Sequence, residues 1–219
     1  MSAVPRSKAE ARHFYDRISR VYDPLTAAFE RKHAEQALER LSVKEGESVL
    51  EIGFGSGCCL QRIAHRVGRM GKAYGLDLSP GMIQVARRRL RKGESPGMVE
   101  LCCGDAANLP YHSSSFDAVF MSFTLELFDT PEIPIVVEEV KRVLKPTGRF
   151  GVVGMSREGG NSGMLRLYEW AHKRWPRYAD CRPIYVEGCL VDAGYKMLSS
   201  ARGSMVGLPV EIVIAARND

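Results

Sequence analysis

Short apolar segments alternate with longer amphipathic segments through the middle of this chain of 219 residues. The apolar segments have strand length, whereas the amphipathic ones repeat apolar side chains at helical spacing. Strands that alternate with helices in this way are typical of a parallel sheet covered by helices on both faces. The pattern predicts strands at 49–52, 73–78, 98–103, 117–122 and 148–155, and helices from 58, at 80–92 and at 131–145.

Both ends of the chain add elements to this α/β core. Two helices are predicted before the first strand, and after the core a helix stops at Gly194, a residue type that commonly ends helices. Two closing strands follow as a hairpin-linked pair. These elements are predicted at about 7–22 and 26–41 (helices), 184–193 (helix), and 195–202 and 209–217 (strands).

A segment from Ser156 to Asp180 interrupts the alternation after the fifth strand. It opens with the loop-like sequence SREGGNSG and continues as MLRLYEWAHKRW, which places apolar side chains on one helical face. One interpretation is a helix packed on the edge of the sheet. The other is a lid or membrane-surface helix that admits a lipophilic substrate, with Trp170 and Trp175 as interfacial anchors.

The sequence VLEIGFGSG at residues 49–57 is the first candidate for chemistry. A buried strand that runs into a glycine turn at a helix N-terminus brings backbone close to a nucleotide-bearing ligand. The spacing of Gly53, Gly55 and Gly57 is GxGxG, and Cys58 stands where a dinucleotide fingerprint has its third glycine. The loop therefore favours a nucleoside cofactor other than NAD, with a tight structural turn as the alternative.

Two acidic residues follow the next two strands. Asp77 ends the second strand, where a carboxylate can accept hydrogen bonds from both hydroxyls of a ribose. Ser79 and Pro80 then fit the start of a helix, so the alternative for Asp77 is a capping role. Asp105 follows the third strand, where its carboxylate can accept from the exocyclic amine of adenine.

Taken together, VLEIGFGSG, GLDLSPGMI, GDAANLPYHSSSFDAV and VKRVLKPTGRF resemble the class I S-adenosylmethionine-dependent methyltransferases over nearly the whole chain. The ubiquinone/menaquinone-type C-methyltransferases are most similar, through FYDRISRVYD and MSFTLELFD, and bacterial phosphatidylethanolamine N-methyltransferases are nearly as similar. The resemblance implies a Rossmann-like fold: a mostly parallel seven-stranded sheet with one antiparallel strand and helices on both faces. It also implies one methyltransferase domain, with a helical cap (1–43), a cofactor-binding core (44–155), the insertion (156–180) and a C-terminal helix and strand pair (181–219).

The resemblance also implies roles for individual residues toward S-adenosylmethionine. The loop residues Gly53, Gly55, Ser56 and Gly57 would cradle the methionine moiety, Glu51 would support that loop, and Tyr22 could reach the carboxylate. Asp77 would hold the ribose, Asp105 and Ala106 would frame the adenine, and Ser122 and Phe123 would lie beneath the methionine end. Quinone-type enzymes often have an Arg-Asn pair after the fourth strand, whereas this chain has Leu125-Glu126-Leu127-Phe128.

The expected reaction is displacement of an activated methyl group, so positioning of the acceptor supplies much of the rate. A general base is needed only for a hydroxyl, an acidic carbon or a protonated amine. The candidates are Tyr15, Tyr22, Glu126 and His172, and the pattern does not choose among them. The expected acceptor is small and lipophilic, a quinone-precursor carbon or a phospholipid amine.

Composition limits the cellular context. No apolar run is long enough for a membrane span, and the polar N-terminus does not match a secretory signal, so we expect a cytoplasmic protein with peripheral membrane contact as an option. The six cysteines lack CxxC spacing, so we expect no metal site and buried, unreactive thiols, with thiolate chemistry at Cys58 or Cys103 as the alternative. The sequence leaves the oligomeric state open.

A run of cations, Arg87-Arg88-Arg89 and Arg91-Lys92, ends the helix at 80–92, and the net charge is +5. Cations at a helix C-terminus complement its dipole, and attraction to anionic lipid or nucleic acid is the alternative. No base-stacking aromatics interleave with the run, so no nucleic-acid partner is expected. Two other functions stay open: a nucleotide-dependent oxidoreductase, disfavoured by the missing GxGxxG, and a cofactor-binding protein without turnover.

Overall fold

A computed structural model describes residues 8–18, 22–93, 97–158 and 182–218 of the protein, with the side chains of 18 and 22–29 left undescribed. Helices α1 and α2 precede the sheet, and the chain then alternates strands and helices as the sequence pattern predicts. The helices are α1 (Lys8–Ile18), α2 (Tyr22–Leu41), α3 (Cys58–Val67), α4 (Pro80–Lys92), α5 (Ile133–Val143) and α6 (Val186–Asp192). The strands are β1 (Ser48–Ile52), β2 (Lys72–Asp77), β3 (Met98–Cys103), β4 (Phe116–Ser122), β5 (Leu144–Met155), β6 (Lys196–Met205) and β7 (Leu208–Ala216).

The seven strands form one sheet in the order β3-β2-β1-β4-β5-β7-β6. Strands β1 to β5 pair in parallel, and β7 is antiparallel to both β5 and β6. Strand β7 is therefore the one that runs against the others, which confirms the predicted sheet. The order reverses at β1, whose neighbours are β2 and β4, and ligands in α/β sheets bind at the carboxyl ends of strands at such a point.

Apolar side chains on both faces of the sheet pack under helices. One cluster joins Leu50, Val119 and Val152 to α5 and α6, and the other joins Val49, Phe120 and Val153 to α2, α3 and α4. Neighbouring strand residues such as Val49 and Leu50 thus serve opposite faces, as the two-residue period of a strand requires. Burial on both faces explains why the central strands read as near-continuous apolar segments.

Several predicted boundaries differ from the structure, among them the start of the second helix, predicted at about 26 and found at Tyr22, and the junction of α5 with β5. The helix predicted at 131–145 spans Ile133–Val143, and β5 begins at Leu144 where residue 148 was expected. Leu144 already pairs with Phe116, and the register then shifts so that Ala118 pairs with Arg149. The segment containing Pro146 and Gly148 therefore bulges out of the ladder, which the turn residues concealed in the sequence.

The closing hairpin is tighter than expected. Met205 pairs with Leu208, so the loop has two residues, Val206 and Gly207, with φ angles of 52° and 80°. Positive φ at both loop positions matches the twist of the flanking strands, and valine adopts that conformation only with strain. The predicted pair of strands is confirmed, with β6 extended by the short turn to Met205.

The ends of the insertion are joined at the carboxyl end of β5. Ser156 forms a bridge with Ile184, the amide of Arg157 donates to the carbonyl of Ile184 (3.0 Å), and the amide of Ile184 donates to the carbonyl of Met155 (3.0 Å). The insertion between them, residues 159–181, lies outside the described residues, so the lid and edge-helix interpretations of 156–180 both stay predictions.

Candidate functional site

The loop between β1 and α3 depends on its three glycines. Gly53, Gly55 and Gly57 have φ angles of 70°, 52° and 81°, a region that glycine enters without steric cost. A β-carbon at Gly53 would lie 2.3 Å from Cγ2 of Thr124, and one at Gly57 would lie 2.9 Å from the β-carbon of Ala86. The loop can therefore follow this path only without side chains at those two positions.

Asp77 connects this loop to the end of β2. Its Oδ2 accepts a hydrogen bond from the amide of Gly55 (2.9 Å), and its Oδ1 accepts from the amide of Ser79 (2.9 Å). The amide of Leu78 also donates to this carboxylate, which has about four acceptor positions, so acceptor capacity remains for a ligand. The side chain is 9 % exposed, and burial raises the pKa of Asp77 to about 6 against the amide hydrogen bonds that lower it.

A second carboxylate, Asp16 of α1, lies beside Asp77. Its Oδ1 accepts from the hydroxyl of Ser79 (2.5 Å) and from the amide of Gly81 (2.9 Å). The same hydroxyl accepts from the amide of Met82 (3.1 Å) and so caps α4. Asp16 thus satisfies donors at the N-terminus of α4 and holds α1 against the edge of the sheet, where its charge adds to the rise in the pKa of Asp77.

The N-terminal end of α1 makes a second connection at this edge. The ammonium of Lys8 donates to Oδ2 of Asp105 (2.5 Å) and lies 2.8 Å from Oε1 of Glu132, the residue before α5. The other oxygen of Asp105 accepts from the amide of Ala107 (3.0 Å) and stabilises the turn that carries the buried Ala106. Helix α1 therefore spans from the end of β2 to the end of β3.

Glu51 points an unsatisfied carboxylate oxygen into the structure. It is 2 % exposed, and within the described part of the chain its Oε2 accepts no hydrogen bond. Burial, with the nearby Asp77, raises the pKa of Glu51 well above its ordinary value. A buried carboxylate without a partner is costly, so this position suits a ligand that brings a hydrogen-bond donor or a positive charge.

The segment after β4 lies next to the glycine loop. Phe123 has a φ of 49° and is 5 % exposed, and its amide donates to the carbonyl of Val153 (2.7 Å). The carbonyl of Ser122 accepts from the hydroxyl of Thr124 (2.9 Å), the residue that fills the space beside Gly53. This packing places Ser122 and Phe123 at the same edge as Glu51 and Asp77, and their position beneath the methionine end stays a prediction.

The structure locates some of the candidate bases. Glu126 is fully buried, and its Oε1 accepts from the amide of Met155 (3.0 Å), so it joins the segment after β4 to the end of β5. Tyr15 lies on α1 with its ring edge-on to Phe14, at a centroid distance of 5.5 Å. The side chain of Tyr22 and the whole of His172 lie outside the described residues, so their predicted roles stay predictions.

Three residues of this edge were missed from the sequence: Lys8, Asp16 and Glu132. Each acts through a partner far along the chain, at separations such as 97 residues for Lys8 and Asp105. No local pattern marks such a partner. For Asp16 the one available signal was its place in FYDRISRVYD, a segment that carries the resemblance to the quinone-type enzymes.

The cysteines differ from expectation. Of the five that the structure describes, all are free thiols, Cys103 is exposed and the other four are partly exposed. The prediction of buried thiols is therefore wrong for these five, because Cys102 and Cys103 end an edge strand and Cys58 and Cys59 begin α3. Among the described residues, no group of three or more His, Cys, Asp or Glu side chains is placed to hold a metal ion.

Comparison with known proteins shows which family this chain belongs to. The family described as "Methyltransferase domain" matches residues 49–148. The chain is 30 % identical over 164 residues to the 2-phytyl-1,4-naphtoquinone methyltransferase of Trichormus variabilis, which covers 73 % of this chain and 70 % of the relative. It is 33 % identical over 158 residues to the demethylmenaquinone methyltransferase of Oceanobacillus iheyensis, which covers 70 % of this chain and 65 % of the relative.

Solved structures share the fold at lower identity. A SAM-dependent methyltransferase from Aquifex aeolicus matches with a TM-score of 0.67 at 24 % identity, over 93 % of this chain and 98 % of the other. The cyclase SpnF matches with a TM-score of 0.76 at 17 % identity, over 99 % of both chains. From its fold, its motifs and these relatives, the chain belongs to the class I S-adenosylmethionine-dependent methyltransferases, is similar among them to the quinone-methylating enzymes, and uses S-adenosylmethionine as its methyl donor.

Proposed function

We propose that this enzyme methylates a carbon of a small lipophilic quinone precursor, with its donor held along the carboxyl edge of β1, β2 and β4. The names of the two relatives above, one a methyltransferase of 2-phytyl-1,4-naphtoquinone and the other of demethylmenaquinone, support the acceptor class. The observation that carries the assignment of the donor site is the convergence of Glu51, Asp77 and the glycine loop at this edge.

The residues at this edge fit S-adenosylmethionine. The unpartnered oxygen of Glu51 suits the ammonium of the methionine moiety, and Asp77 keeps acceptor positions for ribose hydroxyls. The glycines of the loop leave the backbone open to close approach. Asp105 would accept from the adenine amine and Ala106 would lie against the ring, while Ser122 and Phe123 would lie under the methionine end.

The reaction requires little of the protein beyond the correct placement of the donor and the acceptor. The sulfonium of the donor supplies an activated methyl group, which an electron-rich carbon can displace. The ring carbon of a quinol is electron-rich, whereas that of a quinone is not, so we expect the reduced form to be the acceptor. The enzyme then needs to hold the acceptor in line, exclude water and accept the ring proton that the new bond displaces.

A second acceptor class, an amine, is favoured by acidic groups at the end of β5. Glu211 pairs with Gly154 across the β5–β7 ladder, is fully buried, and has an Oε1 without a hydrogen-bond partner among the described residues. The Oε2 of Glu126 would lie 2.8 Å from a β-carbon on the same Gly154. Two buried carboxylates at this edge would suit a cationic headgroup such as that of phosphatidylethanolamine.

An acceptor panel tests the proposal. The purified chain would be incubated with isotope-labelled donor and a demethylated naphthoquinol, the same compound as the quinone, phosphatidylethanolamine vesicles, or no acceptor. We expect label in the quinol product alone, detected by the mass gain of one methyl group. Label in the phospholipid would instead support amine methylation. Tight donor binding with no labelled product from any acceptor would favour a cofactor-binding protein without turnover.

A further inference from the structure

Charge is unevenly distributed over this molecule. Residues 52–99 contain nine Lys and Arg side chains and two carboxylates, a net charge of +7, whereas the rest of the chain carries −2. One of the two carboxylates, Asp77, is buried in the donor site. The whole net positive charge of the protein therefore resides in the part of the chain that forms α3, β2 and α4.

The cations of this segment share one outer surface. Helices α3 and α4 lie side by side, since a β-carbon at Gly57, just before α3, would meet Ala86 in the middle of α4, and Gln61 donates to the carbonyl of Gly93 (3.4 Å), just after α4. Neither helix contains an acidic residue. We call the exposed cations here the basic face: Arg69, Arg87, Arg88, Arg91 and Lys92.

These cations are not explained by the fold. Within the described part of the chain, no carboxylate pairs with the four on α4. Arg87 and Arg91, and likewise Arg88 and Lys92, are four residues apart on α4, a like-charge spacing that costs a few tenths of a kcal/mol per pair. The helix dipole offsets this cost only within the last turn, and Arg87 and Arg88 precede that turn.

Two apolar side chains stand at the same end of the molecule. Met70 is 82 % exposed and Met98 is 65 % exposed. Met98 is paired with Lys72 at the start of two neighbouring strands, and Met70 comes two residues before Lys72. The C-terminal end of α4 leads to the same edge of the sheet. Flexible methionines beside exposed cations combine apolar and electrostatic contact in one surface.

We propose that the basic face, with Met70 and Met98, docks the enzyme on an anionic lipid surface. Each cation near such a surface contributes about 1 kcal/mol, and the methionines can enter the headgroup layer. A nucleic acid is disfavoured because the aromatic residues of this segment, Phe54 and Tyr74, are buried or packed in the core and cannot stack on bases.

The docking geometry is compatible with catalysis. Met70, Met98 and the C-terminal end of α4 lie toward the amino ends of β2 and β3, whereas Asp77 ends β2, so a lipid surface against the basic face leaves the carboxyl edge uncovered. Strand β2 has six residues, so its two ends, and with them the lipid surface and the donor site, would be separated by roughly 20 Å. Docking needs no assumption about the acceptor, and a lipophilic acceptor would gain from it.

Vesicle binding tests this surface directly. The intact chain would be sedimented with vesicles of phosphatidylcholine and phosphatidylglycerol in equal parts, and with phosphatidylcholine alone. We expect binding only to the anionic vesicles, and its loss when the ionic strength is raised from about 0.1 M to about 0.5 M. Absence of binding to the anionic vesicles at low salt would overturn the proposal.

Two charge-matched variants locate the surface. Replacing Arg87, Arg88, Arg91 and Lys92 with Gln should weaken binding at least about a hundredfold, from four cations at about 1 kcal/mol each. The control replaces four exposed cations elsewhere, Arg31, Lys32, Lys44 and Lys196, with Gln and should change binding less than tenfold. Equal losses in the two variants would mean that net charge alone drives binding, and the basic face would then be wrong.

Two further measurements test where the lipid surface contacts the protein and whether the basic face binds nucleic acid instead. Hydrogen exchange of the unmodified chain on anionic vesicles should slow in peptides that cover 58–70 and 87–98, and protection confined to other regions would overturn the assignment even if a variant failed to fold. If single-stranded RNA bound more tightly than the vesicles and the α4 variant lost that binding, the face would serve nucleic acid and the lipid assignment would fail.

Discussion

At the scale of single residues, Asp77 combines a structural role with a ligand role. Its two oxygens hold the amides of Gly55 and Ser79, which fixes the glycine loop against the start of α4. The same carboxylate keeps the acceptor positions that a ribose needs. A change at Asp77 therefore alters both the shape of the loop and the contact with the donor, and its test must separate these effects.

We expect Asp77→Ala to weaken binding of S-adenosylmethionine by about 1.5–3 kcal/mol, the range for hydrogen bonds to a charged group. Calorimetry of the folded variant measures this loss. Ser79→Ala is the matched control, because it removes the cap of α4 and leaves the carboxylate in place. The control also removes one of the two hydrogen bonds of Asp16, so it should lower stability by about 1 kcal/mol and weaken donor binding much less than Asp77→Ala does. Unchanged affinity in Asp77→Ala would remove Asp77 from the donor site.

Sequence reasoning finds residues whose chemistry is marked by their own neighbours. The glycines and Asp77 come directly from turn spacing and a strand end, Glu51 comes from the resemblance to the methyltransferases, and the structure brings them to one edge. Lys8 and Asp16 cannot be found in this way, because their importance lies in contacts with Asp105 and Ser79, which the fold alone brings near. The unpartnered oxygen of Glu51 is likewise a property of packing.

At the scale of elements, α1 connects the ends of β2 and β3 across the carboxyl edge of the sheet, where we propose that the donor binds. Asp16 attaches it to the N-terminus of α4, and Lys8 attaches it to Asp105 and Glu132. Lys8 is 39 % exposed, so its ion pairs contribute little to stability, whereas Asp16 bonds to the hydroxyl of Ser79, a residue that is 1 % exposed. Asp16 is therefore the stronger of the two attachments, and it lies nearest to the proposed ribose position.

Variants of Asp16 test this attachment. Asp16→Ala removes two hydrogen bonds at the N-terminus of α4 and should weaken donor binding about three- to tenfold, from a loss of about 1 kcal/mol. Asp16→Asn keeps an acceptor oxygen and should retain the affinity at about pH 8. Arg12→Ala, an exposed change on the same helix, is the control and should bind normally. Normal binding by Asp16→Ala would show that α1 is not part of the site.

The pH dependence of donor binding by Asp16→Asn tests the contact between Asp16 and Asp77 more directly. The groups that face Asp77 are Asp16 of α1, Glu51 of β1 and the amides of Gly55, Leu78 and Ser79. Asp77 must be ionised to accept two ribose hydrogen bonds, so donor affinity should fall as the pH drops through about 6. Removing the charge of Asp16 lowers the pKa of Asp77, and the midpoint of this fall should move to lower pH.

The sequence predicted the helices and strands themselves better than their end points or their contacts with other elements. The seven strands and the hairpin at the C-terminus follow from apolar segments and turn residues, because these depend on local spacing. The early start of β5 at Leu144 depends on its pairing with Phe116, a tertiary contact that overrides the turn signal of Pro146 and Gly148. The docking of α1 on α4 depends wholly on such contacts.

At the scale of the whole molecule, buried acids at one edge are kept at a cost to stability. Burial raises the pKa of Glu51, Asp77 and Glu211, so the folded chain holds protons that the unfolded chain releases. By contrast, Lys145 lowers the pKa of Asp117 and Arg142 lowers that of Glu139. The two groups of acids act in opposite directions along the pH scale, and their balance sets the pH of maximum stability.

The protein without donor should therefore be most stable near about pH 4 to 5 and lose stability as the pH rises through about 6. The raised acids favour folding below their folded pKa values, and the shift of Asp77 alone, from 3.8 to about 6, corresponds to about 3 kcal/mol above both values. Below about pH 4, protonation of Asp117 and Glu139 ends their ion pairs and stability falls again. Thermal unfolding measured across this range tests the sign.

The donor should reduce this loss at high pH, because it brings a cation to Glu51 and hydrogen-bond donors to Asp77. Glu51→Gln and Asp77→Asn should flatten the decline between about pH 5 and 8, since each removes an ionisation that opposes folding. Asp117→Asn is the control: it should alter only the acid limb, where the pair with Lys145 at 2.7 Å is lost. A decline of equal steepness in Glu51→Gln, Asp77→Asn and the unmodified chain would mean that the acids at the donor edge are not the source of the pH dependence.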